Sequence, residues 1–368
     1  MADTNASGIK IRNLYKIFGP QAEKHVQAVR NGMSKTELLE KHGHVLGLRD
    51  INIDIPAGSI QVIMGLSGSG KSTLIRHINR LIDPTAGEVL IGGPDVVKMS
   101  QAELREFRRQ QTAMVFQKFA LLPHRNVLEN VVYGLEVRSF GRKESVEIAM
   151  KWIERVGLKG FESRYPNQLS GGMQQRVGLA RALSMDAPVL LMDEAYSALD
   201  PLIRMDMQTV LLDLQKEIKK TIVFITHDLD EALRLGDQIA ILRDGNIVQQ
   251  GTREDIVLRP ADEYVANFVK QVNRGRVVHV ETVMAALRPG YVPSGMTVRE
   301  GTTIEEAIQA VAHSPDIDFA VVSAVGEPVG LINLRLLAGA LVTPSSGGST
   351  ETLSGKVIGS IPAARQSH

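Results

Sequence analysis

Residues 60–82, IQVIMGLSGSGKSTLIRHINRLI, decide the architecture. A largely apolar run of strand length, IQVIM, meets a loop from Gly65 to Ser72 that fits the pattern G-x-x-x-x-G-K-[ST]. The loop opens a helix at Lys71, expected to end near Asp83-Pro84. Gly65, Gly68 and Gly70 let the backbone wrap so closely that successive N–H groups point inward at an anion. The helix N-terminus adds the positive end of its dipole. Lys71 is expected to reach the β- and γ-phosphates of a nucleotide, and Ser72 to hold Mg²⁺ through its hydroxyl. Ser67, Ser69 and Thr73 complete the predicted lining.

Outward from this loop, strand and helix patterns alternate. Residues 9–18, IKIRNLYKIF, and the stretch LRDINIDIPAGSIQVIMG read as strands, the latter broken at the turn signal Pro56-Ala57-Gly58. Residues 20–47 interrupt them with a charged, solvated insertion of one or two short helices around Asn31-Gly32. Residues 100–111 read as a polar helix, 112–122 alternate, and roughly 126–186 are mainly helical. Strand-sized apolar runs return at 188–193 and 221–226. Such interleaving predicts an α/β sheet covered on both faces. Near Asn273 the character changes: VNRGRVVHVETVM reads as a linker into a new unit. Residues 296–342 follow as strand, helix, strand, strand, helix, with a hairpin turn at Gly326-Glu327. Residues 343–368 are low in apolar content and read as a disordered tail.

The bulk composition narrows the function classes. With 368 residues, of which 43% are hydrophobic, the chain has room for one large domain and a smaller one. A net charge of +1 gives no electrostatic reason to expect nucleic acid. The absence of cysteine excludes a disulfide framework and fits a reducing cytoplasm. No stretch has signal-peptide character or approaches the roughly 20 apolar residues of a membrane span, so a soluble chain is expected.

A second set of polar residues punctuates the strand ends. PVLLMDEAYSALD, 188–200, reads as a buried strand delivering Asp193 and Glu194 to a sheet edge, where ligands of such sheets bind. Asp193 is expected to hold Mg²⁺, and Glu194 to accept a proton from attacking water. His227 ends TIVFITHD in the same way, either bonding a γ-phosphate or serving structure. Gln117 follows TAMVF, and its carbonyl oxygen suits the Mg²⁺ shell or the attacking water.

One stretch fits no such role alone: LSGGMQQR, Leu169 to Arg176, which contains no obvious acid, base or nucleophile. Together with the phosphate loop, Gln117, Asp193-Glu194, SALD at 197–200 and His227, it makes the chain resemble the ATP-binding subunits of ABC transporters over about residues 9–270. The resemblance implies a P-loop ABC-type ATPase domain over 1–272, with a mixed sheet core, the insertion at 20–47 and a helical subdomain at about 120–186. It also implies ATP and Mg²⁺ as ligands, the latter on Ser72, Gln117 and Asp193. It implies further that two copies pack head to tail, so that Ser170, Gly171, Gly172 and Gln174 of one, with its Asp200, complete the ATP site of the other. Phe18 is the residue implied to stack on adenine, with Tyr15 as the alternative. Further implied are a membrane permease that docks near Lys118 to Asn130, where Phe119 and Leu122 look exposed, an external substrate-binding protein, and a peripheral place on the cytoplasmic face of a bacterial membrane.

The resemblance narrows further. The insertion, FQKFALLPHRNVLENV and LSGGMQQRVGLARALSMDAPVLLMDEAYSALDPLIR are similar to importers of glycine betaine, proline betaine and choline, with histidine importers as close relatives. Tyr196 departs from the phenylalanine usual there, and its hydroxyl should need a partner. Residues 276–342, with TTIEEAIQAV and AVVSAVGEPVGLI, form a small C-terminal α/β unit resembling one cystathionine β-synthase (CBS) repeat, a module that senses ionic strength or nucleotide. The competing readings are a soluble ABC-type ATPase acting on DNA or ribosomes, which the near-neutral charge disfavours, and a P-loop small-molecule kinase, which would have no use for LSGGMQQR.

Overall fold

A computed structural model describes residues 7–117, 120–287, 295–314 and 317–341. The central sheet has six strands in the order β5-β6-β7-β3-β8-β9. These are β3 (Ile60–Met64), β5 (Thr112–Val115), β6 (Val189–Asp193), β7 (Thr221–Thr226), β8 (Gln238–Arg243) and β9 (Asn246–Gly251). All pair in parallel except β9, which runs antiparallel to β8. Strands β3, β6 and β7 are buried along their whole length, as helices on both faces of a parallel sheet require, and their near-continuous apolar sequence follows from that. A three-stranded antiparallel sheet, ordered β2-β1-β4, lies beside it: β1 (Ile9–Phe18), β2 (Val45–Ile55) and β4 (Ala86–Ile91). In β2 the second half alternates buried Ile51, Ile53 and Ile55 with exposed neighbours, the pattern of a sheet packed on one face.

Helices Val127–Val137, Arg142–Arg155 and Gly171–Ser184 pack on one another as the expected helical subdomain. The Lys71–Ile78 helix stops earlier than predicted. Arg80 adopts a left-handed backbone (φ 49°) and its guanidinium bonds the carbonyls of Val96 and Met99, so the chain turns away before Asp83-Pro84. Likewise β5 ends at Val115 rather than running on to 122.

The insertion is not merely solvated. Ala22, Val26, Val29 and Leu38 bury with Tyr15, Ile17 and Leu46 in a small core of their own against β1 and β2. Three imidazoles sit together there: the His25 ring centroid lies 4.5 Å from that of His42 and 4.4 Å from that of His44. His44 also bonds the carbonyls of His42 (2.6 Å) and Pro20 (2.8 Å).

The C-terminal sheet is β10 (Thr297–Arg299), β11 (Phe319–Val322) and β12 (Pro328–Ile332), with helices Ile304–Val311 and Leu334–Leu341. The stretch after Asn273 is no free linker. It forms two short helices, Arg274–Val277 and Val280–Val283, and buries Val278 and Val280. These join one hydrophobic cluster with Ile256, Val257, Val265 and Val269 on one side and Ile304, Val311 and Phe319 on the other. Arg274 donates to the Val257 carbonyl (3.1 Å), and His279 pairs with Glu254 (3.0 Å). The predicted tail, 343–368, lies outside the described residues. Among those residues no helix is long and apolar enough to cross a membrane.

Beneath the phosphate loop, His77 is buried, its Nδ1–H donating to the Thr73 carbonyl at 2.6 Å while Nε2 has no partner. Burial pushes its pKa down to about 4, although the Thr73 bond opposes this. The unfolded chain therefore takes up the proton first. The stability tied to this group is complete above about pH 6.5 and is lost as pH falls toward 4, roughly 3 kcal/mol at the acid end. Chemical denaturation between pH 7 and 4 should show this acid limb, and His77→Gln should flatten it.

Candidate functional site

Because β5, β6, β7 and β3 are adjacent and parallel, their carboxyl ends meet at one edge, the position where open α/β sheets bind ligands. The loop after β3 supplies Gly65 to Ser72. Gln117 follows β5, Asp193 ends β6 with Glu194 next, and His227 follows β7. The four sequence signals, separated by as many as 162 residues, thus converge through strand order alone.

The phosphate loop, Gln117 and Glu194 border a cavity of about 430 Å³, and Asp193 and His227 stand just outside its lining. Phe18, Ser67, Gly68, Gly70, Lys71, Ser72, Thr73, Gln117 and Glu194 line it, joined by Lys35, Val45, Leu46 and Gly47. Phe18 is 40% exposed, whereas Tyr15 is buried in the core of the insertion beneath the Arg30 guanidinium. Gly70 is constrained twice. Its φ of 105° disfavours any side chain, and a Cβ there would lie 2.8 Å from the Gly47 carbonyl oxygen.

The loop encloses Lys71 almost completely, leaving 4% of its side chain exposed. Its ammonium donates to the carbonyls of Gly65 (2.8 Å) and Leu66 (3.0 Å) and lies 3.8 Å from Glu194. Burial draws the Lys71 pKa down, while the carboxylates of Glu194 and Asp193 pull it the other way. Ser69 is buried with its hydroxyl unpartnered. Ser72 donates to Asp193 at 2.8 Å, and Arg76, one helical turn further on, reaches the other Asp193 oxygen at 3.3 Å. Hydroxyl and carboxylate side by side form an oxygen-donor pair suited to a hard divalent cation that keeps further ligands from phosphate and water.

Glu194 occupies the left-handed region (φ 46°), an uncommon conformation for a non-glycine residue and one that clusters at functional sites. Three groups surround its carboxylate: Gln117 Nε2 donates at 3.0 Å, His227 Nδ1 lies at 3.8 Å, and Lys71 is on the other oxygen. Tyr196 is fully buried against Phe224, with ring centroids 5.4 Å apart. Its hydroxyl finds the expected partner in the Met207 carbonyl at 3.4 Å, and burial pushes its pKa up.

The signature stretch stands apart. Ser170, Gly171, Gly172, Gln174 and Asp200 line no part of this cavity. Ser170 caps the Gly171–Ser184 helix, accepting from Met173 N–H at 3.3 Å, and Gln174 donates to the Leu169 carbonyl. Asp200 caps the Pro201–Ile218 helix by accepting from Ile203 N–H at 3.1 Å. The two glycines differ. Gly171 is exposed, while Gly172 is buried, and a Cβ on it would lie 2.4 Å from Ile203 Cγ2. Close packing of two helices therefore requires a glycine at position 172 whatever its backbone N–H binds.

In the groove expected near Lys118 to Asn130, Lys118 and Phe119 lie outside the described residues and Leu122 is half-buried rather than exposed. Asn130 pins that segment, accepting from Leu122 N–H and donating to the carbonyls of Leu122, Arg125 and Asn126. Sequence reasoning missed Lys35, Arg76 and residues 45–47. Arg76 stands four residues after Ser72 on one helix face, a spacing that would have found it. Nothing in the local sequence marks Lys35.

Comparisons with known proteins agree with this geometry. Residues 48–197 match the family model described as ABC transporter. The chain is 55% identical over 276 residues to the glycine betaine transport ATP-binding protein OpuAA of Bacillus subtilis, covering 75% of this chain and 66% of that one. It is 51% identical over 275 residues to the glycine betaine/proline betaine transport system ATP-binding protein ProV of Escherichia coli, covering 75% and 69%. It thus spans about two thirds of the length of these relatives. A solved dimeric bacterial ABC transporter cassette superposes with a TM-score of 0.57 at 33% identity, over 67% of this chain and 98% of that one.

Proposed function

This chain belongs to the ATP-binding subunits of ABC transporters, in the branch of the betaine transporters, and from that premise we propose that it hydrolyses ATP to power import of a quaternary ammonium solute: glycine betaine, proline betaine or choline. The observation that carries the ATPase is Glu194, held among Gln117, His227 and Lys71 at the mouth of the phosphate loop. The solute class rests on the betaine relatives.

In this reading Phe18 stacks on adenine. The backbone of residues 65–72 and Lys71 cradle the phosphates, with Lys71 exchanging its two loop carbonyls for phosphate oxygens. Ser72, Gln117 and Asp193 would hold Mg²⁺, which when bound neutralises charge on the β- and γ-phosphates. Glu194 accepts the proton of the attacking water, and His227 bonds the γ-phosphate. Catalysis is mainly positioning and charge stabilisation. Ser170, Gly171 and Gly172, with Gln174 and Asp200, act on the nucleotide of a second copy, so that ATP joins two subunits and hydrolysis frees them. A membrane permease docks at the 118–130 groove on the cytoplasmic face, and a substrate-binding protein delivers solute from outside. Residues 1–272 serve as the ATPase unit and 276–342 as a CBS-like regulatory unit.

Reconstitution of the chain with its permease and binding protein in vesicles tests this. ATP turnover should rise when glycine betaine, proline betaine or choline is supplied, and not with histidine. Stimulation by histidine alone would overturn the solute class.

A further inference from the structure

The cavity has a second cationic wall that the sheet edge does not supply. Lys35 lines it with Phe18, Leu46, Ser67 and Lys71, yet belongs to the segment inserted between β1 and β2. Local structure brings it there. Ser34 caps the Lys35–His42 helix in a reciprocal pair with Glu37: the Ser34 hydroxyl accepts from Glu37 N–H (3.1 Å), and Glu37 accepts from Ser34 N–H (3.0 Å). Leu38, three residues after Lys35 and so on the same helix face, is buried with Tyr15, Ile17 and Leu46. That face, with Lys35 at its leading end, turns toward the body of the protein.

The charges there are unevenly matched. The acid nearest in the helix, Glu37, pairs with Lys41 at 3.2 Å. Lys71 has Glu194 at 3.8 Å. The Lys35 ammonium makes no ion pair or hydrogen bond among the described residues. Two lysines and one glutamate therefore line the cavity, and the surplus charge is that of Lys35. A solvated ammonium recognises an anion. Of the parts of a nucleotide, only the phosphate chain is one.

We infer that Lys35 is a further nucleotide-binding residue, a cation carried on the inserted segment that engages the polyphosphate. The inference rests on the ATP-site reading above. Titration calorimetry of the full chain with ATP, ADP and adenosine tests it, using Lys35→Gln, Lys35→Arg and Lys71→Ala. Lys35→Gln should weaken ATP and ADP about 3- to 5-fold and leave adenosine unchanged, with Lys35→Arg near the parent. The parent's ATP affinity should also fall more steeply with salt than that of Lys35→Gln, because the contact is exposed to screening. An unchanged ATP affinity in Lys35→Gln, or an equal loss for adenosine, overturns the inference. If Lys71→Ala binds ATP as well as the parent does, the site reading itself fails. If only Lys71→Ala loses binding, that reading stands and the role of Lys35 does not.

Discussion

Glu194→Gln should bind ATP at least as tightly as the parent chain while its turnover falls by about 10²- to 10⁴-fold, the usual contribution of a positioned general base. The amide keeps the shape of the carboxylate and one oxygen to accept from Gln117, now 3.0 Å away. It cannot take a proton from water. It also removes the negative charge 3.8 Å from Lys71, which leaves more positive potential for the triphosphate. Bound ATP should then persist and hold two chains together. The readout is phosphate release alongside size-exclusion chromatography with ATP. A native rate of release would show that the proton goes elsewhere.

The second large effect comes from mixing two inactive variants. Lys71→Ala removes the cation enclosed by the phosphate loop and leaves Glu194 without its buried counter-charge. Charge-assisted bonds to phosphate are among the strongest available to a side chain, so turnover should fall at least 100-fold. Gly171→Arg places a bulky cation at the exposed start of the signature helix, since Gly171 is exposed whereas Gly172 is buried against Ile203. It too should be inactive. On the proposed shared-site reading, a mixed dimer would set the intact phosphate loop of one chain against the intact signature of the other and restore one complete site. Mixed preparations should regain ATP turnover that neither variant has alone. A mixture as inactive as its components would rule out a site shared between chains.

The parts of this molecule that were legible in the sequence are those where chemistry and strand periodicity coincide. IQVIM, VLLMD and TIVFIT are buried on both faces, and each delivers its polar residues to the same edge. The C-terminal order of strand, helix, strand, strand, helix was readable for the same reason, with Gly326 (φ 84°) at the hairpin. What stayed hidden depends on contacts distant in sequence. Charge patterning marked residues 20–47 as solvated, yet Val29 and Leu38 pair with Tyr15 and Leu46 across the sheet and bring Lys35 to the cavity. The choice between Phe18 and Tyr15 likewise needed three dimensions, because both lie on β1 and only packing shows which is covered. Gly172 carries a demand the local sequence does not show: whatever its backbone binds, the close approach of Ile203 by itself requires a glycine there.

The cluster that runs from Val265 and Val269 through Val278 and Val280 to Ile304 and Phe319 has a mechanical consequence. A tethered lobe could report on its surroundings only by chance encounter. Here buried side chains from both sides share one cluster, and an imidazole–carboxylate pair, His279 with Glu254, spans the seam. Densely packed interiors resist compression, and this packing continues from the outer lobe into the helices that follow β9. Only β8 separates β9 from β3, the strand that feeds Gly65 into its loop. The outer lobe is thus joined by unbroken packing to helices that sit two strands away from the phosphate loop.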